Sequence, residues 1–212
     1  MKKSLALGLA VLILASFAPA AKRLGLAAGY AKQLGSGFGG GLAAGLSFGF
    51  ELTPMFAVEA RAGLITSSVS GSPTGLSKGS MTLTPLTVAL TARFGKGSKL
   101  VPYGVLGAGY SANSFKVDPG VKSDWTGLGL TLSESVKGGL IVLAGGGVDY
   151  LLKPGPKPGQ GVFLNVEIRY LMGKADGSWS LTDTAGGEEA AGVLDGLDLS
   201  SLVFGVGLKY GF

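Results

Sequence analysis

The sequence predicts an all-β fold, an eight-stranded antiparallel up-and-down transmembrane β-barrel. Three observations predict it. The first is the alternation of the segment 202–212, where Leu202, Phe204, Val206, Leu208, Tyr210 and Phe212 are apolar or aromatic. Their neighbours Gly205, Gly207, Lys209 and Gly211 are small or polar, with Val203 the exception. Successive side chains of a strand point to opposite faces, so this strand has one greasy face and one that is not. The second is that the same alternation recurs along the chain, while no stretch after residue 20 approaches the roughly 18 uninterrupted apolar residues of a membrane helix. The third is composition: 46% hydrophobic, 15% charged and 39 glycines. Glycine inside a helix costs about 1 kcal/mol relative to alanine, so a greasy chain this rich in glycine is not a bundle of helices.

The N-terminus sets the compartment. Lys2 and Lys3 form a basic n-region, Leu5 to Phe17 an apolar h-region, and Ala18-Pro19-Ala20 fits the small-x-small cleavage rule. Residues 1–20 therefore read as an export signal peptide removed after Ala20, with residues 21–212 as one barrel domain. The chain has no cysteine, hence no disulfide framework. A closed barrel needs none, because its ladder leaves no free edge. The net charge is +5 and no basic stripe is interleaved with aromatics, which argues against nucleic acid as a partner.

The strands follow in order. The first spans 23–32, with Leu24, Leu26, Ala28 and Tyr30 opposing Gly25, Ala27 and Gly29. The second, 40–52, turns Leu42, Ala44, Leu46, Phe48, Phe50 and Leu52 outward and Ala43, Gly45, Ser47, Gly49 and Glu51 inward, and ends at a Thr53-Pro54 turn. The third, 55–67, sets Phe56, Val58, Ala60, Ala62 and Leu64 against Ala57, Glu59, Arg61 and Gly63. The fourth, 80–94, sets Leu86, Val88, Leu90, Ala92 and Phe94 against Thr87, Ala89, Thr91 and Arg93. Met81 and Leu83 fall on the other parity, so a bulge or kink is expected at Pro85. The fifth, 100–115, has an open phase, since Tyr103 and Tyr110 cannot share a face without a bulge. The sixth, 137–151, turns Leu140, Val142, Ala144, Val148 and Tyr150 outward and ends at the stiff turn Lys153-Pro154-Gly155-Pro156-Lys157-Pro158. The seventh, 161–174, alternates Val162, Leu164, Val166, Ile168, Tyr170 and Met172 with Phe163, Asn165, Glu167, Arg169, Leu171 and Gly173. The eighth closes the chain.

Connections after the second, fourth and sixth strands are short, whereas those after the third, fifth and seventh run to about 11, 21 and 22 residues. Barrels of this kind keep short turns on the periplasmic side and long loops outside, which places both termini in the periplasm. Outward aromatics at the periplasmic ends (Phe50, Phe56, Phe94, Tyr150, Tyr210 and Phe212) suit an interfacial girdle.

Leu52-Thr53-Pro54 followed by Ala57-Val58-Glu59, then Leu83-Thr84-Pro85-Leu86, Val101-Pro102-Tyr103-Gly104 with Gly107, Gly109 and Tyr110, and Gly147-Val148-Asp149-Tyr150-Leu151 occur in this order from about residue 40 to the end. In these pieces the chain resembles the OmpW family of small outer-membrane barrels. The resemblance implies an eight-stranded barrel of the bacterial outer membrane that binds or passes small hydrophobic molecules. Sideways exit through the wall, which the glycines and Pro85 weaken, is part of that implication. Some members also serve as surface receptors. The first external loop is shorter here than in that pattern.

Inward positions near the periplasmic ends collect four acids, Glu51, Glu59, Asp149 and Glu167, and four bases, Arg61, Arg93, Arg169 and Lys209. Unpaired buried charge costs several kcal/mol, so these groups are expected to pair. Either they plug the lumen or they form a polar gate. The outer half of the lumen is small or apolar, with Ile65, Ala89, Ile141, Leu143, Leu171 and Val203 as a candidate pocket for an apolar ligand entering from outside. Simple core packing is the alternative. The last external loop, about 175–197, holds Asp176, Asp183, Glu188, Glu189, Asp195 and Asp198; these lack calcium-loop spacing and read as a solvated, mobile loop, with a divalent ion bridging to lipopolysaccharide as the alternative. Trp125 and Trp179 read as loop residues. Membrane lipids, lipopolysaccharide and, through the strand ending in Phe212, the barrel assembly machinery are the partners this reading implies. With no histidine and no cysteine the familiar nucleophile-base pairs cannot be built, and no cofactor or metal motif appears. The competing function is a non-conducting structural or adhesion barrel that acts through its external loops.

Overall fold

The computed structural model describes residues 22–71, 74–95, 98–156, 159–183 and 187–212; the leader expected over 1–20 lies outside them, as do the side chains of Glu188 and Glu189. The elements are β1 (Lys22–Gln33), β2 (Gly40–Glu51), β3 (Phe56–Ser70), β4 (Lys78–Arg93), β5 (Leu100–Val117), α1 (Pro119–Gly127), β6 (Leu130–Val136), β7 (Gly139–Pro154), β8 (Gly161–Asp183), β9 (Glu188–Asp198) and β10 (Ser201–Gly211). Eight of the strands close an antiparallel barrel in the order β1-β2-β3-β4-β5-β7-β8-β10, with β10 hydrogen-bonded back to β1 from Arg23–Gly211 to Gln33–Ser201.

The alternation read from the sequence sets the two faces. Leu42 is 74% and Leu140 81% exposed, while Leu143 and Val203 on the opposite parity are buried. Exposed leucine, valine and isoleucine line every barrel strand. A continuous apolar belt of this extent is solvated by lipid, not water. No helix among the described residues is long and apolar enough to cross a membrane; the strands do so.

Several expectations are corrected. The phase of β5 needs no bulge: Tyr103 is buried in the lumen and Tyr110 is exposed on the lipid face, in unbroken register with β4. Pro85 causes no bulge either. The β3–β4 ladder runs to Ala62–Leu86 and resumes at Ile65–Leu83 in the same register. Met81 and Leu83 point inward like every odd residue of β4; the apparent parity break reflects a lumen that turns from charged to apolar on going outward. Phe50, expected in the girdle, is buried.

The described residues of the external segments form regular structure. Residues 175–183, expected in a mobile loop, extend β8 beyond the barrel, where β6 and β9 pair with it in a three-stranded tip sheet. Trp179 lies in this extension and Trp125 in α1, neither in a loop. Helix α1 starts where the Asp118 carboxylate accepts the Gly120 N–H at 2.9 Å, with Pro119 opening the first turn. Asp176 and Asp183 likewise accept backbone N–H groups, from Gly196 and Gly187, so these carboxylates shape turns. From the short β1–β2 connection Phe38 drops into the core, and Leu76 does so from the β3–β4 connection. Together with Val136, Leu197 and Leu199 they roof the outer lumen.

Candidate lumen site

All eight charged residues expected in the lumen meet there, and the structure adds a ninth, Arg23. They form one chain of alternating sign. Arg169 Nε lies 2.7 Å from Glu167, whose carboxylate accepts both bonds of Arg61 Nη1 at 2.9 and 3.0 Å. Arg61 Nη2 then donates to Glu59 at 2.7 Å. The other Glu59 oxygen accepts from Arg93 at 3.0 Å, and Arg93 reaches Glu51 at 3.4 Å. Glu51 also accepts from Arg23 at 3.0 Å, and Arg23 reaches Asp149 at 3.5 Å. Lys209 Nζ ends the chain 3.0 Å from Asp149, an ion-pair contact rather than an aligned hydrogen bond.

Neutral groups brace the network. Tyr103 donates its hydroxyl to Glu167 at 2.6 Å, and Asn165 Nδ2 is 2.8 Å from both the Tyr103 oxygen and Asp149. Lys209 sits 4.1 Å over the Tyr103 ring and Arg23 4.8 Å over the Phe163 ring. Every barrel strand contributes: Arg23 from β1, Glu51 from β2, Glu59 and Arg61 from β3, Arg93 from β4, Tyr103 from β5, Asp149 from β7, Asn165, Glu167 and Arg169 from β8, and Lys209 from β10. The cross-section is thus tied across its diameter as well as around its wall. Arg23, Tyr103 and Asn165 were not among the expected site residues. Arg23 shares its odd parity with Gly25, Ala27 and Gly29, which is the signal that would have found it.

The six residues of the candidate apolar pocket lie together in one buried cluster above this layer. Three of them, Ile65, Ile141 and Leu171, border a gap of about 10 Å³ that is closed also by Leu83 and Pro85 and by the polar Ser111, Asn113 and Lys174. That is room for a single water, so an organic ligand must displace side chains to enter. Nearer the roof, buried Gln33 and Ser67 are hydrogen-bonded to each other. On the periplasmic side the network faces a vestibule of about 390 Å³, lined by Arg23, Glu51, Arg93 and Phe163 and by the turn after β7.

A lipid-facing apolar belt, a closed ladder and a charged, filled lumen define an outer-membrane β-barrel. The chain belongs to the outer membrane protein beta-barrel domain family, whose model matches residues 4–212. It is a bacterial outer-membrane protein whose apolar belt faces membrane lipid. Solved structures share the fold at low identity. OprG from Pseudomonas aeruginosa is 18% identical with a TM-score of 0.64, the match covering 91% of this chain and 97% of that one. Neisserial surface protein A is 15% identical with a TM-score of 0.56, covering 91% and 99%. Ail, the attachment invasion locus protein of Yersinia pestis, solved with the heparin analogue sucrose octasulfate, is 14% identical with a TM-score of 0.50, covering 91% and 99%. No curated protein matches the chain in sequence.

Proposed function

We propose that the barrel is an OmpW-like conduit that takes small hydrophobic molecules into its outer half and releases them sideways into the membrane. One observation carries this reading: the seam in the wall and the apolar chamber meet at Pro85. Proline has no N–H to give to the ladder, and β3–β4 pairing skips Gly63 and Leu64 opposite Pro85 and Thr84. Pro85 faces inward, borders the 10 Å³ gap, and packs against a glycine, Gly63, which brings no side chain of its own. Below the chamber the ion network blocks the axial route, so an apolar solute leaves through the wall. The protein performs no catalysis in this reading. Export uses residues 1–20, and the strand ending in Phe212 addresses the assembly machinery.

The test uses the absence of cysteine from the chain. Leu64→Cys with Thr84→Cys places a disulfide across the seam, on the lipid-facing side. Folded protein in proteoliposomes speeds entry of apolar probes but not polar ones; oxidation of the pair removes the effect and reduction restores it. Unslowed uptake through the oxidised barrel refutes sideways release. Equal entry of every probe with and without protein refutes the conduit altogether. That last outcome would favour the second reading, a non-conducting barrel acting in adhesion through its external segments. The ordered tip sheet supports that reading, as does the likeness in fold to an attachment protein. Removing β6 and β9 then abolishes surface binding while the barrel stays folded.

A further inference from the structure

Among the described residues the lumen network carries five bases, Arg23, Arg61, Arg93, Arg169 and Lys209, against four acids, Glu51, Glu59, Asp149 and Glu167. Its alternation begins on Arg169 and ends on Lys209, each with a single acidic neighbour among the described residues. Both ends line one small cavity of about 20 Å³, walled also by Gly25, Gly45, Ser47 and Arg61. We propose that this cavity is a halide site, and that one monovalent anion between Arg169 and Lys209 turns the chain of alternating charges into a closed ring.

Four features point to an anion rather than a water. The first is net charge. A surplus cation in the low-dielectric interior of a membrane barrel is unfavourable, and a single negative charge offsets it. The second is the chemistry of the wall. Lys209 Nζ is buried and makes no hydrogen bond. Neither Nη group of Arg169 nor the Ser47 hydroxyl makes one among the described residues. Arg169 and Ser47 offer N–H and O–H donors to a ligand, and Lys209 brings its stem to the wall and a positive charge held beside Asp149 and the Tyr103 ring. Glu167 and Asn165 also border the cavity, beside the apolar Leu26 and Leu46, but Arg61, Arg169 and Tyr103 already occupy the Glu167 oxygens and Asn165 Nδ2 is bonded to Tyr103 and Asp149.

The third feature is the floor. A Cβ at Gly45 would stand 3.9 Å from Arg169 Nη2, and one at Gly25 would stand 2.5 Å from Ser47 Oγ and 3.2 Å from Lys209 Cγ. Glycine at these positions leaves the donors uncovered. The fourth is size. About 20 Å³ admits one water-sized particle, which suits chloride or bromide and excludes phosphate, sulfate or a carboxylate with its carbon skeleton.

The site lies above the Arg23–Glu51–Arg93 end of the network and below the apolar chamber, so the proposal stands whether or not apolar molecules pass. Crystals of the folded protein grown in sodium bromide are expected to give one anomalous peak in the lumen, between Arg169 and Lys209. The thermal midpoint in bromide or chloride is expected to exceed that in gluconate at equal ionic strength, saturating as a single site. Arg169→Gln, which balances the charges, is expected to lose the halide shift and the peak together. A bromide-grown crystal without a lumen peak, a peak only in the periplasmic vestibule, or a midpoint indifferent to halide overturns the proposal. So does a full halide shift in Arg169→Gln. The wild-type crystal decides the question even if that variant fails to fold.

Discussion

Replacing Arg61 by alanine tests the lumen network at its middle. The side chain is 5% exposed and donates to two carboxylates, to Glu59 at 2.7 Å and to Glu167 through paired bonds at 2.9 and 3.0 Å. Removing one partner of a buried ion pair typically costs about 3–5 kcal/mol, because the remaining charge stays buried without its counterion. Here each carboxylate keeps another cation, Arg93 for Glu59 and Arg169 for Glu167. The expected loss is therefore about 3 kcal/mol, the low end of that range. Arg169→Ala removes one contact from a residue whose side chain is 17% exposed, and is expected to cost about 1–2 kcal/mol. The double variant Arg169→Met with Glu167→Leu removes opposite charges together, leaves Arg61 paired with Glu59, and is expected to cost less than Arg61→Ala alone. Urea titrations of the refolded barrel in lipid vesicles measure all three. Arg61→Ala within about 0.5 kcal/mol of wild type refutes the idea that the network holds the barrel together.

Three further outcomes are expected. Tyr103→Phe deletes the hydroxyl that bonds Glu167 and Asn165 and lowers stability by about 1–3 kcal/mol in the same titration, without changing the barrel's β-sheet circular dichroism. Gly29→Ala places a Cβ 1.8 Å from the Phe204 carbonyl oxygen, where only backbone could yield; the β1–β10 closure weakens, seen as a smaller heat-modifiable fraction on gels. In the tip, the Ser200 hydroxyl and then its N–H hold the Asp198 carboxyl below its ordinary value of 3.8. A carboxyl lowered on folding stabilises above its unfolded value, and that contribution vanishes as pH falls through the folded value. The Ser200 amide is therefore protected from hydrogen exchange at neutral pH and loses protection in acid, whereas in Asp198→Asn protection does not change with pH.

The barrel was legible because lipid enforces a strict rule. Every second residue of a spanning strand must be apolar, so Val162 to Met172 announces both strand and face. The charged layer was legible for the same reason, since Glu59, Arg61, Glu167 and Arg169 are charges on the wrong parity for lipid. Arg23 escaped because it stands at the start of its strand, before the alternation is established. Pro85 was misread because parity was judged by polarity alone. Met81 and Leu83 are apolar yet face inward, since the outer lumen is itself a hydrophobic core. The tip sheet escaped because lipid no longer dictates its faces. Thr131, Ser133 and Ser135 of β6 pair with Thr182, Ser180 and Ser178 of β8, and a run of serines in water reads as loop. Only the short alternation of Leu132, Glu134 and Val136 with those hydroxyls hints at a strand.

The length of β8 joins the two ends of the molecule mechanically. A membrane crossing takes about 9–11 residues, and this strand continues without interruption from Gly161 to Asp183, roughly 75 Å of rigid ribbon. Glu167 and Arg169 sit in its membrane half and Trp179 in its external half. The ribbon is a lever with its fulcrum in the wall: a load on the blade beyond the barrel is carried along the same strand to the end of the ion network. The outside of the cell therefore has a direct mechanical handle on the lumen.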